Sequence, residues 1–221
     1  MQKIFETLKK SFQAAFKPSI FFGRETVTPV SASLLRTIIF VFVIASPVAL
    51  SAVIRAVFYP YKPLSPQRSP VLNGLTGATT EYNFPYDLIV FVLGWILFIL
   101  FASTIRLGFL RVLGEKSRSF AIALFVTSFA TVPPIAIAGI QRTLANLFPL
   151  SLLADYQFLL HLRIVITFFI LVAAWLWEGL ICMRGFKAQV EQNRGRAVLT
   201  WLSPYVFSFA LFWFVTGWIA N

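Results

Sequence analysis

Five long apolar runs constrain this chain more than any other feature: residues 34–58, 88–105, 120–140, 164–183 and 198–220. At about 1.5 Å of helical rise per residue, each approaches or exceeds the roughly 30 Å hydrocarbon core of a bilayer. In that core no water satisfies the backbone, so each run has to close its own hydrogen bonds as a helix. A soluble core of the same residues fails on composition. Apolar residues make up 58% of the chain and charged residues 12%, and mean hydropathy is +0.81. A soluble domain carries about a quarter charged residues, and 221 residues cannot bury this much apolar surface in one core. The predicted fold class is all-α: a polytopic membrane helix bundle of five transmembrane helices. Residues 1–33 are expected to form a cytoplasmic amphipathic helix and linker, and 34–221 the transmembrane domain. The first run starts too late and is too long for a signal peptide.

Lysine and arginine set the predicted orientation. Lys3, Lys9, Lys10, Lys17 and Arg24 precede the first span. Arg106, Arg111, Lys116 and Arg118 follow the second, and Arg184, Lys187, Arg194 and Arg196 follow the fourth. The other side has Lys62, Arg68 and Arg142, a bias of thirteen to three. Arg36, Arg55 and Arg163 lie at span ends, where they can snorkel. Basic residues favour the cytoplasmic face, so the N-terminus is expected inside and the C-terminus outside. Dropping any span breaks the alternation. The first outer connection is rich in proline, from Pro60 to Pro85, and reads as an extended linker.

Residues 2–17, QKIFETLKKSFQAAFK, are amphipathic at helical period. At about 100° per residue, Phe5, Leu8, Phe12 and Phe16 fall within about 80° of one another. Lys3, Lys10 and Lys17 occupy the far face, and Pro18 stops the helix. This pattern predicts a helix in the interface plane, with its phenylalanines in the acyl boundary and its lysines toward anionic headgroups. Packing on the protein's own cytoplasmic loops is the competing reading.

Two features stand out within the spans. Glu178 is the acidic residue deepest in a span, about 9 Å of helical rise from Arg184. It is either a proton, ion or substrate site or half of a structural ion pair. Arg184 is about 240° round the helix from it, so Arg106, Arg111 and Arg196 are the candidate partners, and the structural pair is preferred. Pro133 and Pro134 interrupt the third span. They mark either a packed kink, with Thr127, Ser128 and Thr131 re-satisfying the freed carbonyls, or a broken helix that binds an ion or solute. Trp95, Trp175 and Trp177 lie at packing depth, whereas Trp201 and Trp218 fit an interfacial belt.

Nothing in the chain points to catalysis. His161 is the one histidine and Cys182 the one cysteine. No HExxH, Walker A or GxGxxG spacing occurs, and no triad can be assembled. A metal needs several ligands, so neither a metal nor another cofactor is expected. The net charge of +11 is spread over three short segments without a recognition motif, which argues against nucleic acid as a partner.

The pieces FKPSIFF, GEKSRSFAIALFVTSFATVPPIAIAGI and AAWLWEGLICMRGFKAQVEQNRGRAVLTWLSP resemble the Yip domain family of Ypt/Rab-interacting membrane proteins and their prokaryotic relatives. The resemblance covers the chain from about Phe16 onward. It implies five spans, a cytoplasmic N-terminus and non-enzymatic work in trafficking, membrane shaping or complex assembly. The long cytoplasmic N-terminal region of eukaryotic members has no counterpart here, which implies a prokaryotic member rather than a Rab-binding one.

Two functions follow as expectations. One is a non-enzymatic scaffold, assembly or trafficking factor whose partners are the lipid bilayer, other membrane proteins or a second copy. The other is a transport component, a small permease or a membrane subunit moving a small solute or lipid. In that reading Arg184, Lys187, Arg194 and Arg196 contact a cytoplasmic ATPase or GTPase. The expected location is a cytoplasmic (inner) membrane, or an endomembrane such as Golgi or ER in a eukaryote.

Overall fold

The computed structural model describes the backbone of residues 2–58, 86–115, 119–148 and 157–219. The proline-rich connection, the turn holding Lys116 and Arg118, residues 149–156 and the side chains of Lys3 and Trp218 lie outside the described residues. What is described is helical: α1 (Gln2–Phe16), α2 (Pro18–Arg24), α3 (Val30–Phe58), α4 (Tyr86–Val112), α5 (Phe120–Ala130), α6 (Val132–Leu147), α7 (Gln157–Val190) and α8 (Arg194–Ile219). Helices α3, α4, α7 and α8 are each long and apolar enough to cross a membrane, and α5 with α6 passes the same test only as a pair bent by 41°, the geometry of a broken span or of a re-entrant loop. The spans run longer than the apolar runs predicted. α4 continues past residue 105 to Val112, and α7 continues past 183 to Val190. Arg106, Arg111, Arg184 and Lys187 therefore lie inside helices.

Local chemistry explains the ends. Pro18 has no amide to offer α1, yet it suits the first turn of α2, so one residue stops a helix and starts the next. α4 closes on Gly114 at φ +99. The Glu115 amide donates to the Leu110 carbonyl at 2.9 Å and the Gly114 amide to Arg111 at 3.2 Å, a Schellman closure that favours glycine there. Asn193 caps α8, its Oδ1 accepting the Arg196 amide at 2.9 Å. The third span breaks at Thr131, just before Val132-Pro133-Pro134, so the two prolines fall in the first turn of α6, where missing amides cost least. By i→i−4 geometry they free the carbonyls of Phe129 and Ala130. The nearby hydroxyls do not serve those groups: Thr131 Oγ1 donates to Thr127 O at 3.0 Å and Ser128 Oγ to Phe125 O at 2.9 Å.

Backbone proximity divides the chain into two units, one of residues 1–40, 96–133 and 176–221, the other of 41–95 and 134–175. The first unit has an aromatic core that hydropathy alone does not reveal. α2, read from sequence as linker, inserts Phe21 and Phe22 among Phe125 and Phe129, with ring centroids 4.6 Å apart for Phe21–Phe129 and 5.9 Å for Phe22–Phe125. Arg36 does not snorkel as expected. Its guanidinium lies 4.6 Å from the Phe129 ring centroid, a cation–π seat. In the second unit, Gly139 on α6 lies so close to α3 that an added Cβ would meet Ile44 Cγ2 at 2.2 Å. Beside it, buried Asn146 donates from Nδ2 to Ser51 Oγ at 2.9 Å.

Candidate functional site

The chemistry of the first unit is concentrated where four helices bring one polar residue each to a common point. Arg106 on α4 and Glu178 on α7 are 0% and 1% exposed. Arg106 Nη2 donates to Glu178 Oε1 at 2.7 Å, and Nη1 donates to Thr127 Oγ1 on α5 at 3.0 Å. The Tyr205 hydroxyl on α8 donates to the second carboxylate oxygen, Glu178 Oε2. Both oxygens of the acid are thus engaged, and the arginine spends two of its three nitrogens. Its Nε is buried without a hydrogen-bond partner among the described residues. Cys182, one turn beyond Glu178, is also buried.

The helices converge because small residues permit it. A Cβ on Gly179 would meet the Trp201 ring at 2.6 Å, so α8 closes on α7 directly beside Glu178. Trp201 is buried in that contact and does not join the interfacial belt predicted for it. A Cβ on Gly185 would meet Val126 Cγ1 at 2.7 Å, which brings α5 to the next turns of α7. Van der Waals packing through small residues is the ordinary means by which membrane helices approach.

Of the three arginines proposed for Glu178, the structure selects Arg106, while Arg111 and Arg196 are exposed. The apolar runs place Arg106 in the connection after the second span. It lies instead within α4, its charge matched by the acid. The sequence ties Thr127 only to the proline break and does not single out Tyr205. One signal was available for Tyr205: a phenol in an apolar span needs a hydrogen-bond partner when buried. Pro133 and Pro134 are not among the groups that touch Glu178. Arg184, Lys187, Arg194 and Arg196 are all exposed around the α7–α8 turn. His161 is exposed as well.

The membrane-interface residues divide. Phe5, Phe12 and Phe16 are 72%, 59% and 63% exposed, and Leu8 is half-buried. Lys17 is exposed. Lys10, expected among headgroups, donates to Glu25 Oε2 at 2.9 Å. α1 packs on α2 and α5 through a face of small residues, Thr7, Ser11, Ala14 and Ala15, all buried.

Long apolar helices, a charge pair compensated inside them and broad apolar exposure along α7 and α8 define a multi-pass helical membrane protein. No family model, curated protein or solved structure matches the chain.

Proposed function

We propose that the chain is a membrane scaffold or assembly factor that works through protein–protein contacts within the bilayer. The observation that carries this is the closure of the Glu178 site. An acid that serves a moving ion or solute must be reachable and must exchange partners, whereas Glu178 has both oxygens occupied by Arg106 and Tyr205. Buried pairs of this kind tie helices into one arrangement. The surface left for work is the outside of the spans, where Phe209, Phe212 and Trp213 on α8 and Phe168 and Phe169 on α7 are exposed. The resemblance of its hairpins to the Yip domain family points the same way, and charge bias puts the N-terminus and the Arg184–Arg196 turn on the cytoplasmic side.

A photo-crosslinking residue in place of Phe209 or Phe212, activated in native membranes, should yield a discrete band containing a second membrane protein or a second copy. Crosslinks to lipid alone, at both positions, count against the reading. Transport remains the second reading because Arg106 Nε is buried without a hydrogen-bond partner among the described residues. Reconstituted vesicles showing solute or lipid flux that Glu178→Gln abolishes would establish it in place of the scaffold.

A further inference from the structure

In the first unit α7 carries two working faces. One holds Glu178 and Cys182 in the ion-pair cluster. The other holds the N-terminal helices. The Trp177 indole N–H donates to the Ala15 carbonyl at 2.9 Å, and the Phe16 ring stands edge-on to Trp177 at 5.2 Å between centroids. Further along, an added Cβ at Gly185 would meet the Phe22 ring at 3.2 Å, so the two are closely apposed. Gln189 Nε2 donates to the carbonyls of Phe22 at 2.7 Å and Glu25 at 3.2 Å. Trp177 and Glu178 are consecutive residues. A displacement of α1 that drags Trp177 therefore also moves the carboxylate that Arg106 and Tyr205 hold.

With its small-residue face on the bundle, α1 turns outward a ledge of Phe5, Phe12 and Phe16, which Ile20 of α2 extends. Depth indicates what covers it. Trp177, against which Phe16 rests, lies about 10 Å of helical rise from Arg184, close to the roughly 5–10 Å at which an interfacial helix buries its apolar face. Leu176 and Leu180, on either side of Trp177 in the sequence of that span, are exposed as lipid-facing residues are. Lys9 on α1, Lys17 between the two helices and Arg24 on α2 are exposed and suit anionic headgroups. We infer that the ledge docks into the acyl boundary of one phospholipid leaflet while α1 stays bound to the bundle, so that leaflet contact holds α7 in the register where Glu178 meets Arg106. The inference rests on the membrane-spanning reading of α7 and stands independently of the scaffold function.

Cys182 provides the probe. It is the one cysteine of the chain, buried one turn from Glu178, so its alkylation by N-ethylmaleimide reports opening of the cluster. The full-length protein is reconstituted in vesicles of phosphatidylcholine and phosphatidylglycerol, with an SDS-unfolded sample setting the full rate. Phe12→Ser and Trp177→Phe, made separately, should each raise alkylation about tenfold, since the second keeps an aromatic ring and loses only the indole donor. With Cys182 replaced by alanine to leave a single thiol, a nitroxide attached through Phe12→Cys should be reached by oxygen and shielded from an aqueous nickel reagent. Alkylation unchanged in both substitutions overturns the coupling, and a nitroxide open to the nickel reagent overturns the leaflet docking.

Discussion

A guanidinium and a carboxylate held away from water stand or fall together. Removing one partner leaves the other charge buried and unpaired, at a cost of about 3–5 kcal/mol, whereas replacing both by apolar residues of similar volume is often close to neutral. Glu178→Leu alone should therefore lower resistance to SDS unfolding by that amount, and Arg106→Met with Glu178→Leu should recover most of it. If the double substitution is as unstable as the single one, the pair is doing something other than compensating its own charges. At the same scale, Gly139→Ala forces a methyl against the branched Ile44 side chain near its backbone, which cannot swing clear. A loss of about 1–3 kcal/mol is expected, read by the same unfolding titration. Gly179 reads in sequence as a small residue that permits close helix contact, but neither it nor Gly139 shows which helix it faces, because a glycine in an apolar run carries no such mark. Glu178 does announce itself: a carboxylate in a span demands a cation, three arginines lie at neighbouring span ends, and Arg106 is the partner.

Helices differ in how far their own residues determine them. The spans are legible because hydrocarbon leaves a run of apolar residues no other ordered backbone. α1 was legible as amphipathic, and Pro18 as its stop. Its seating was not, because Thr7, Ser11, Ala14 and Ala15 read as neutral filler until α5 is laid against them. α2 shows the limit most clearly. Seven residues beginning with a proline read as linker, yet Phe21 and Phe22 enter the aromatic core of the first unit. Phe22→Ala should cost about 3–5 kcal/mol, as large-to-small changes at fully buried aromatics do. An exposed control such as Phe158→Ala should leave resistance to SDS unfolding within about 0.5 kcal/mol of the parent. Equal effects would mean that α2 is not part of the core.

Across the whole chain, topology is a property of charge. Moving Arg106 from the connection after the second span into a buried pair reduces the basic bias by one residue and leaves its direction unchanged. Alkaline phosphatase, active only outside the cytoplasm, should accordingly be active when fused after Asn221 and inactive when fused within the α7–α8 turn near Arg194. Activity at both sites, or the reverse pattern, would show that the span count or the orientation is wrong.

The sequence by itself determined that this protein is helical, apolar enough to span a membrane several times, amphipathic at its N-terminus and in need of a partner for Glu178. Those properties follow from composition, period and the cost of charge in hydrocarbon, all of which act residue by residue along the chain. Tertiary structure alone decided that Arg106 is that partner, that Tyr205 and Thr127 complete the cluster, that Trp201 packs on Gly179, and that Trp177 ties α1 to the same helix. These are meetings between residues far apart in sequence. They depend on which faces of the helices approach and how closely, and small residues permit that approach without specifying it.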